Sequence, residues 1–381
     1  MPPIYLDYHA TTPVDRRVIE VMTETLTHHF GNASSIDHPY GDRAAAQVKT
    51  AKTHLATLLG ASPRDILFTS GATESINLVL QGVLGDRPRR ILLNPLEHKA
   101  VLDTCEAIAK RGQAQLHYLT PTATGQLHLD DIEHHCRQGI DLLCVMAANN
   151  EIGTIYPVEA IAKIAQTYGV PYLCDASQAV GKLSFQFRDW GITFLTVSGH
   201  KFYAPQGCGA LVVRPETPLT PLIYGGGQQQ GRRPGTLNLP GIVALGEAAR
   251  LRTLEMQADE SRIAHQRDRL QSHLQAKIPQ LQVNGDLNHR LAGNLHISIP
   301  GIPNSAIIAR VRDRLAISTG SACTSGVETP SHVLRAIGLS EEAIEGSLRI
   351  GLGKFTGDAE LDEAAEILSQ SIQAIEKIMS R

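Results

Sequence analysis

Two residues of this chain stand at positions suited to covalent chemistry. Lys201 follows the strand-like run 193–197, so we expect a buried amine with a depressed pKa that can form a Schiff base with an aldehyde. Cys323 lies in the segment 318–326, whose small polar residues are typical of an exposed loop and of a reactive thiol. Cys144, Cys174 and Cys208 lie in apolar runs instead, so we expect them to be buried.

Other polar residues also follow strand-like runs. Asp175 follows the run 172–174, where a carboxylate is costly unless it is paired. It could keep the ring nitrogen of a pyridoxal cofactor protonated and so make the ring an electron sink; alternatively, it only caps the segment 176–178. His98 could stack on such a ring and exchange protons near neutral pH, and Asn150 offers an amide to a ring oxygen.

The segment 70–73 is a candidate anion site. It reads Ser-Gly-Ala-Thr and opens a helix, so its free N–H groups and the Thr73 hydroxyl could bind a phosphate, although helix capping alone also explains the pattern. Ser198 and His200 lie beside the lysine and are placed to hold the same phosphate. A simple turn is the alternative for this second segment.

Arg349 and a glycine-rich loop complete the candidates. Arg349 is flanked by apolar residues, and its planar guanidinium suits the carboxylate of a substrate, with an internal salt bridge as the alternative. The loop 225–236 contains three consecutive glycines and ends in a hydrogen-bond donor, Thr236. A flexible linker is the alternative for the loop.

The elements that position these residues alternate between strand-like and helix-like segments through the middle of the chain. This order predicts an α/β fold with a mostly parallel sheet, which binds ligands at the carboxyl ends of its strands. From about residue 282 the chain turns to short strands and amphipathic helices, which indicate a smaller α+β domain. We therefore expect a large domain over 15–250 and a small domain formed by 1–14 together with 251–381.

Composition narrows the classes of function. The 381 residues carry a formal net charge of −3, which does not favour direct binding to nucleic acid or to an anionic membrane. The N-terminus lacks the features of a signal peptide, and no apolar run is long enough to span a bilayer, so we expect a cytoplasmic protein. The six cysteines form no C-x-x-C pair, so we expect neither a metal site nor a redox dithiol.

Eight motifs occur in order between Tyr5 and about Thr356. They read Y-L-D-Y-x-A-T-T-P, T-S-G-A-T-E-S, E-H-K-A-V, N-N-E-I-G, D-A-S-Q, S-G-H-K-x-Y-x-P-x-G, R-x-G-T and S-T-G-S-A-C-T-S. In this combination the chain resembles the cysteine desulfurases, which are class V members of the fold-type I pyridoxal-phosphate enzymes. The resemblance implies conversion of L-cysteine to L-alanine, with the sulfur held as a persulfide on an enzyme cysteine.

The resemblance also implies residue roles. Lys201 would be the Schiff-base lysine, Asp175 would pair with the pyridinium nitrogen, His98 would stack on the ring, and Cys323 would be the nucleophile. Arg349, with Asn150, would bind the substrate carboxylate. Asn150 and Gln178 would contact the ring oxygen. The phosphate would be bound by Ala72, Thr73, Ser198 and His200, together with Thr236 from the second subunit of a homodimer.

Two departures from the family and three rival functions remain. Gln229 stands where relatives often have a glutamate, so any ion pair made by that glutamate is absent. The chain ends at Arg381, whereas some relatives carry a C-terminal extension that docks an iron–sulfur scaffold protein, so that mode of docking is in doubt. Sulfur donation, to an iron–sulfur scaffold or toward thiolated transfer RNA, is still expected. The rivals are another pyridoxal enzyme, such as an aminotransferase or a selenocysteine lyase, a sulfur relay without cofactor, and a metal or redox protein.

Overall fold

The structure is a computed structural model that describes residues 2–83, 85, 87–319 and 330–379. Its strands are β1 (Ile4–Tyr5), β2 (Ile66–Thr69), β3 (Arg89–Leu93), β4 (Ala114–Tyr118), β5 (Leu142–Cys144), β6 (Tyr172–Asp175), β7 (Phe194–Ser198), β8 (Gly209–Val213), β9 (Gln282–Val283), β10 (Asn294–Ser298), β11 (Leu315–Ala316) and β12 (Ser347–Gly351).

Helices of very different length connect these strands. They are α1 (Arg16–His28), α2 (Pro39–Leu59), α3 (Ala72–Gly82), α4 (Lys99–Lys110), α5 (Leu129–Arg137), α6 (Val158–Thr167), α7 (Phe187–Trp190), α8 (Leu239–Lys277), α9 (Asn304–Val311), α10 (His332–Ala336), α11 (Glu341–Glu345) and α12 (Asp358–Met379). Short 3₁₀ turns occupy Pro63–Asp65, Gly199–Lys201 and Gln228–Gly231.

The main sheet has seven strands in the order β2-β8-β7-β6-β5-β3-β4. The run from β7 to β4 is parallel, and β8 is antiparallel to both of its neighbours. The central strands are buried along their whole length, because helices cover both faces and apolar residues therefore fill every position. The predicted α/β fold with a mostly parallel sheet is confirmed.

Two apolar cores cover the faces of this sheet. One core lies with α1, α2, α6 and the first half of α8, and the other lies with α3 and α4. The sequence prediction missed β4 at the sheet edge, where Gln115 is exposed and His117 is only partly buried. An edge strand that alternates polar and apolar residues gives a weaker signal than the continuous apolar runs at the centre.

A separate core forms around the antiparallel sheet β12-β10-β9 and the helices α9 and α12. Leu6 belongs to this core, because β1 pairs with β11 and Asp7 bridges to Gly351. The helix α8 joins both units, since Leu251 packs in the large core and Ile263 in the small one. The expected boundary at 250/251 therefore falls inside a continuous helix.

A small apolar cluster attaches α10 and α11 to the main sheet. Val333, Leu334 and Ile344 pack there against Leu96 and Ile152, which lie in loops that follow β3 and β5. The chain on the C-terminal side of the Cys323 segment is therefore held against the edge of the sheet where ligands are expected. None of the described helices has both the length and the apolar character needed to cross a membrane.

Candidate active site

A cavity of about 600 Å³ lies at the carboxyl ends of the parallel strands. Its wall contains ten of the residues that the sequence singled out: Ala72, Thr73, His98, Asn150, Asp175, Gln178, Ser198, His200, Lys201 and Arg349. These residues come from six different strands or strand-following loops, yet the fold brings them into one site. These residues therefore lie together at the carboxyl ends of the strands, where the sequence predicts a ligand site.

Lys201 lies in the short turn that follows β7, with its side chain largely buried. Its Nζ donates hydrogen bonds to the carbonyl oxygens of His9 and Ala10, each at 2.7 Å. Burial, and then the positive charges of Lys182 and Arg349, lower the pKa of Lys201 to about 7. The amine is therefore available in its neutral, nucleophilic form near neutral pH.

Asp175 ends β6 and is only 6% exposed. Its Oδ1 accepts three hydrogen bonds, from the Ser177 amide at 3.0 Å, the Ser177 hydroxyl at 2.5 Å and the Thr196 hydroxyl at 2.9 Å. The capping contact to residue 177 is thus real, but the carboxylate also lines the cavity. Among the described residues it has no ion-pair partner within 4.0 Å, so a cationic ring nitrogen would supply the missing charge.

His98 precedes α4 and caps its first turn. Its Nδ1 accepts a hydrogen bond from the Ala100 amide at 3.1 Å, which places the proton of the neutral ring on Nε2. Burial lowers the pKa of His98, so the ring is neutral at pH 7. A neutral, oriented imidazole in the cavity wall can stack on a flat ring and donate from Nε2.

The start of α3 fits a phosphate group. No side chain caps its first turn, so the amides of Ala72 and Thr73 remain available to an anion at the positive end of the helix. Ser198 and His200 lie in the same wall of the cavity. A Cβ on Gly209 would lie 2.6 Å from Gly71 Cα, so the absence of a side chain lets β8 approach this site closely.

Arg349 makes the internal salt bridge that the sequence left open as an alternative. Its Nη2 donates to Asp7 Oδ1 at 3.0 Å, its Nη1 donates to the Asn150 carbonyl at 3.2 Å, and its buried Nε has no partner among the described residues. The guanidinium nevertheless lines the cavity. A substrate carboxylate would therefore share this arginine with Asp7.

Gln178 is already oriented by three contacts. Its Nε2 donates to the His9 carbonyl at 2.8 Å, and its Oε1 accepts from Lys182 Nζ at 3.1 Å and lies 3.3 Å from His9 Nδ1. Sequence reasoning quoted the motif that contains Asp7 and His9 but gave neither residue a role. It also missed Lys182, which lies four residues after Gln178 in the turns that follow β6, where no local pattern indicated a role.

Thr236 is exposed and does not belong to the wall of this chain's own cavity. The loop that contains Thr236 is attached to β2 by Gln229. The Gln229 Oε1 accepts a hydrogen bond from the Phe68 amide at 2.7 Å, and its Nε2 donates one to the Phe68 carbonyl at 2.9 Å. A glutamate could not make the second bond. Arg233 in the same loop pairs with Glu74 at 2.8 Å.

The cysteines that the structure describes are buried, as the sequence predicts for Cys144, Cys174 and Cys208. Cys105, Cys136, Cys144, Cys174 and Cys208 are all buried and unbridged. Burial raises the pKa of Cys136 to about 11 and that of Cys208 to about 12, so these thiols are protonated at neutral pH. Cys323 lies outside the described residues. The described residues also contain no cluster suited to a metal ion.

Comparisons with known proteins agree with this site. The family model of class-V aminotransferases matches residues 4–363. Curated relatives named cysteine desulfurase IscS, from Anaeromyxobacter sp. (strain Fw109-5) and Shewanella sp. (strain ANA-3), are 41% and 42% identical and align over 99% of this chain and 94% of their own length.

Solved structures give the same result. A NifS-like protein superimposes with a TM-score of 0.89 at 33% identity, covering 97% of this chain and 99% of its own. DndA from Streptomyces lividans gives 0.78 at 39% identity over 90% and 98%. A structure of SspA in complex with cysteine gives 0.79 at 33% identity over 93% and 99%. The chain therefore belongs to the class-V aminotransferase family and, within it, to the pyridoxal-phosphate-dependent cysteine desulfurases.

Proposed function

We propose that this protein removes the sulfur of L-cysteine, releases L-alanine and carries the sulfur as a persulfide on Cys323. The observation that supports this most directly is the composition of one cavity wall, which contains the low-pKa amine of Lys201, the guanidinium of Arg349 and Ser318. Ser318 precedes Cys323 by five residues, and five residues span at most about 18 Å. Chain length alone thus allows the thiol to reach a substrate in the cavity.

The residues present fit pyridoxal phosphate. Lys201 would hold its aldehyde carbon, Asp175 its ring nitrogen and His98 its ring face, while Asn150 and Gln178 would contact the ring oxygen. The phosphate would bind to the start of α3 at Ala72 and Thr73, and to Ser198 and His200. When bound, this cofactor supplies an electron sink for the substrate Cα.

Substrate binding and proton transfer fall to three side chains. Arg349 binds the α-carboxylate of cysteine, assisted by Asn150, whose carbonyl already orients the guanidinium. The neutral amine of Lys201 takes the proton from Cα, which its pKa of about 7 allows at neutral pH. His98 exchanges a proton through Nε2, because Nδ1 is held by the Ala100 amide.

The sulfur then moves to the protein. The thiolate of Cys323 attacks the substrate sulfur, a sulfur–sulfur bond forms, and the carbon–sulfur bond breaks. The electron pair of the broken bond stays with the substrate carbon, which takes up a proton to become the methyl group of alanine. The attacking group must be a thiolate, because a neutral thiol is a poor nucleophile.

The persulfide requires an acceptor, and we propose a sulfur-acceptor protein, such as an iron–sulfur scaffold, reached in the cytoplasm. We also propose a homodimer, because Thr236 lies outside its own cavity and is exposed, as a donor to a partner's phosphate site would be. An aminotransferase would have no use for Cys323. A selenocysteine lyase shares nearly every feature, and assays with both amino acids separate the two activities.

The test is the replacement Cys323→Ser, compared with Cys208→Ser as a matched control. Cys208 is buried and donates to the Pro205 carbonyl at 3.0 Å, a bond that serine keeps. Cys323→Ser should bind cofactor and cysteine normally but lose alanine and sulfide production, and only proteins with Cys323 should carry an added sulfur at residue 323 by mass spectrometry. Full sulfide release by Cys323→Ser, or an adduct on Cys105 or Cys208, would contradict the assignment.

A further inference from the structure

A buried hydrogen bond joins Glu151, beside the cavity, to Ser331, just after the segment that carries Cys323. The Ser331 hydroxyl donates to Glu151 Oε2 at 2.6 Å, although the residues are 180 positions apart. Glu151 is 5% exposed and Ser331 is 6% exposed. The bond therefore connects distant parts of the chain in an environment where an unpaired partner would be costly.

Glu151 is itself firmly placed. Its amide donates to Asn149 Oδ1 at 2.8 Å, and its carbonyl accepts from Asn294 Nδ2 at 2.9 Å. It directly follows Asn150, whose carbonyl holds the guanidinium of Arg349. Glu151 thus belongs to the rigid loop that shapes the substrate end of the cavity.

The same stretch of chain has further attachments. The His332 Nε2 lies 3.0 Å from the Glu97 carbonyl, next to His98. On the N-terminal side, Ser318 exchanges backbone hydrogen bonds with Arg349, at 3.2 and 2.7 Å. The chain is therefore attached to the walls of the cavity both before and after the Cys323 segment.

We propose that Glu151 and Ser331 are positioning residues for the transfer of sulfur to Cys323, because their hydrogen bond fixes Ser331, eight residues after Cys323, to the loop beside the cavity. The proposal rests on the function proposed above. Neither residue touches the reacting atoms. The pair acts by fixing the C-terminal attachment of the segment relative to the loop that orients Arg349.

A role in helix capping does not by itself explain the hydrogen bond between Ser331 and Glu151. Its hydroxyl accepts from the Leu334 amide at 3.2 Å, which caps α10. Ser340 caps the next helix, α11, with an equal distance of 3.2 Å to the Ala343 amide, but its exposed side chain makes no hydrogen bond to the cavity loops in the described part of the chain. Ser340 therefore provides the same cap without the bond to Glu151.

The experiment compares Ser331→Ala, Ser331→Thr and Ser340→Ala in the full-length, cofactor-loaded protein. A single turnover with L-cysteine is followed by mass spectrometry of the sulfur on residue 323. Ser331→Ala should transfer sulfur about tenfold more slowly, the loss expected for one buried hydrogen bond, while the KM for cysteine changes less than about twofold. Ser331→Thr keeps the hydroxyl and should restore transfer, and Ser340→Ala should match the wild type.

Two further measurements separate positioning from a loss of folding. Glu151→Leu and Ser331→Ala should each slow transfer, and the double variant should be no slower than either, because both changes remove the same bond. In cofactor-free protein, alkylation of Cys323 by iodoacetamide should become faster in Ser331→Ala and stay unchanged in Ser340→Ala. This second readout does not depend on turnover.

The outcomes are distinguishable. Wild-type transfer rates in Ser331→Ala, or an equal slowing in Ser340→Ala, would overturn the positioning role while leaving the proposed function intact. Wild-type protein that turns over cysteine without any sulfur on Cys323 would refute the proposed function itself, and the positioning role with it.

Discussion

Lys182 provides a sharp test of how the cavity prepares Lys201. Its Nζ donates to Gln178 Oε1 at 3.1 Å, and its positive charge is the largest cause, after burial, of the lowered pKa of Lys201. The pKa of Lys182 is itself lowered by burial, to about 8, so this residue is mostly charged at pH 7. Replacement by methionine removes that charge and should raise the pKa of Lys201.

The size of the wild-type effect follows from the pKa of about 7. At pH 7 about half of the Lys201 amines are neutral, whereas an ordinary lysine with a pKa near 10.5 would be about 0.03% neutral, a difference of about 1,500-fold. Only the neutral amine attacks an aldehyde. The rate at which Lys201 bonds to the cofactor should therefore rise with pH up to about 7 and level off above it.

The assay mixes cofactor-free protein with pyridoxal phosphate at a series of pH values, traps the bond with borohydride and measures the adduct on Lys201. In Lys182→Met the midpoint should move to higher pH, so attachment is slower at pH 7 and equal to the wild type well above the midpoint. Lys182→Arg keeps the charge and should keep the midpoint. Lys163→Met removes an exposed lysine that pairs with Glu159, and it controls for net charge.

Either of two results would refute this reasoning. A wild-type midpoint near 10 would show that Lys201 titrates as an ordinary lysine. A midpoint that is unchanged or lower in Lys182→Met would show that the charge of Lys182 does not act on Lys201.

Four more predictions follow from individual contacts. Asp175→Asn should keep the cofactor bound through Lys201 but slow cysteine turnover by about a hundredfold or more, as measured by alanine release, because the ring nitrogen loses its anionic partner. Arg349→Lys should raise the KM for cysteine by about tenfold in steady-state assays, since lysine cannot make a bidentate contact with a carboxylate. Lys354→Met should lower the free energy of unfolding by about 1–2 kcal/mol in urea titrations, because Lys354 Nζ bridges Asp15 at 2.7 Å and Glu255 at 2.6 Å. The pKa values of both carboxyls are lowered, that of Glu255 to about 2, first by hydrogen bonds from Arg17 and then by Lys354, so the share that Lys354 contributes should be present above the ordinary carboxyl pKa, and the difference between wild type and variant should shrink as the pH falls below it. Sedimentation should give a homodimer, and a monomer that turns over cysteine at full rate would disprove the role of Thr236.

Sequence patterns located the strand-following residues well, because an apolar run followed by a polar residue marks the end of a buried strand. Lys201, Asp175 and His98 could be found in this way. The long helix Leu239–Lys277 likewise has local sequence signals at its start, namely the Asn238 cap and a proline in the first turn.

Contacts between distant residues could not be predicted. Asp7 pairs with Arg349, which lies 342 positions away in the sequence, and Ser331 bonds to Glu151, which lies 180 positions away. No local sequence pattern in these segments indicates which residue is the partner. The depressed pKa of Lys201 was expected from burial. The contribution of Lys182 depends on a neighbour that only the folded chain supplies.

The long helix α8 contributes residues to both the large core and the small core of the molecule. At 1.5 Å per residue its 39 residues extend about 58 Å, and buried positions occur on it both before residue 253 and after residue 262. Arg252 pairs with Asp259 and Glu260 two turns further along the same helix, and its Nε donates to the Gly181 carbonyl, which joins α8 to the turns that follow β6. Inserting one residue between 253 and 262 would turn everything downstream by about 100°, and would swing the apolar side of the second half out of its core. An insertion of seven residues restores the angular phase but displaces that half by about 10 Å. Length changes should therefore be far less tolerated in this partly exposed stretch than its surface position suggests, and natural variation there should be confined to substitution.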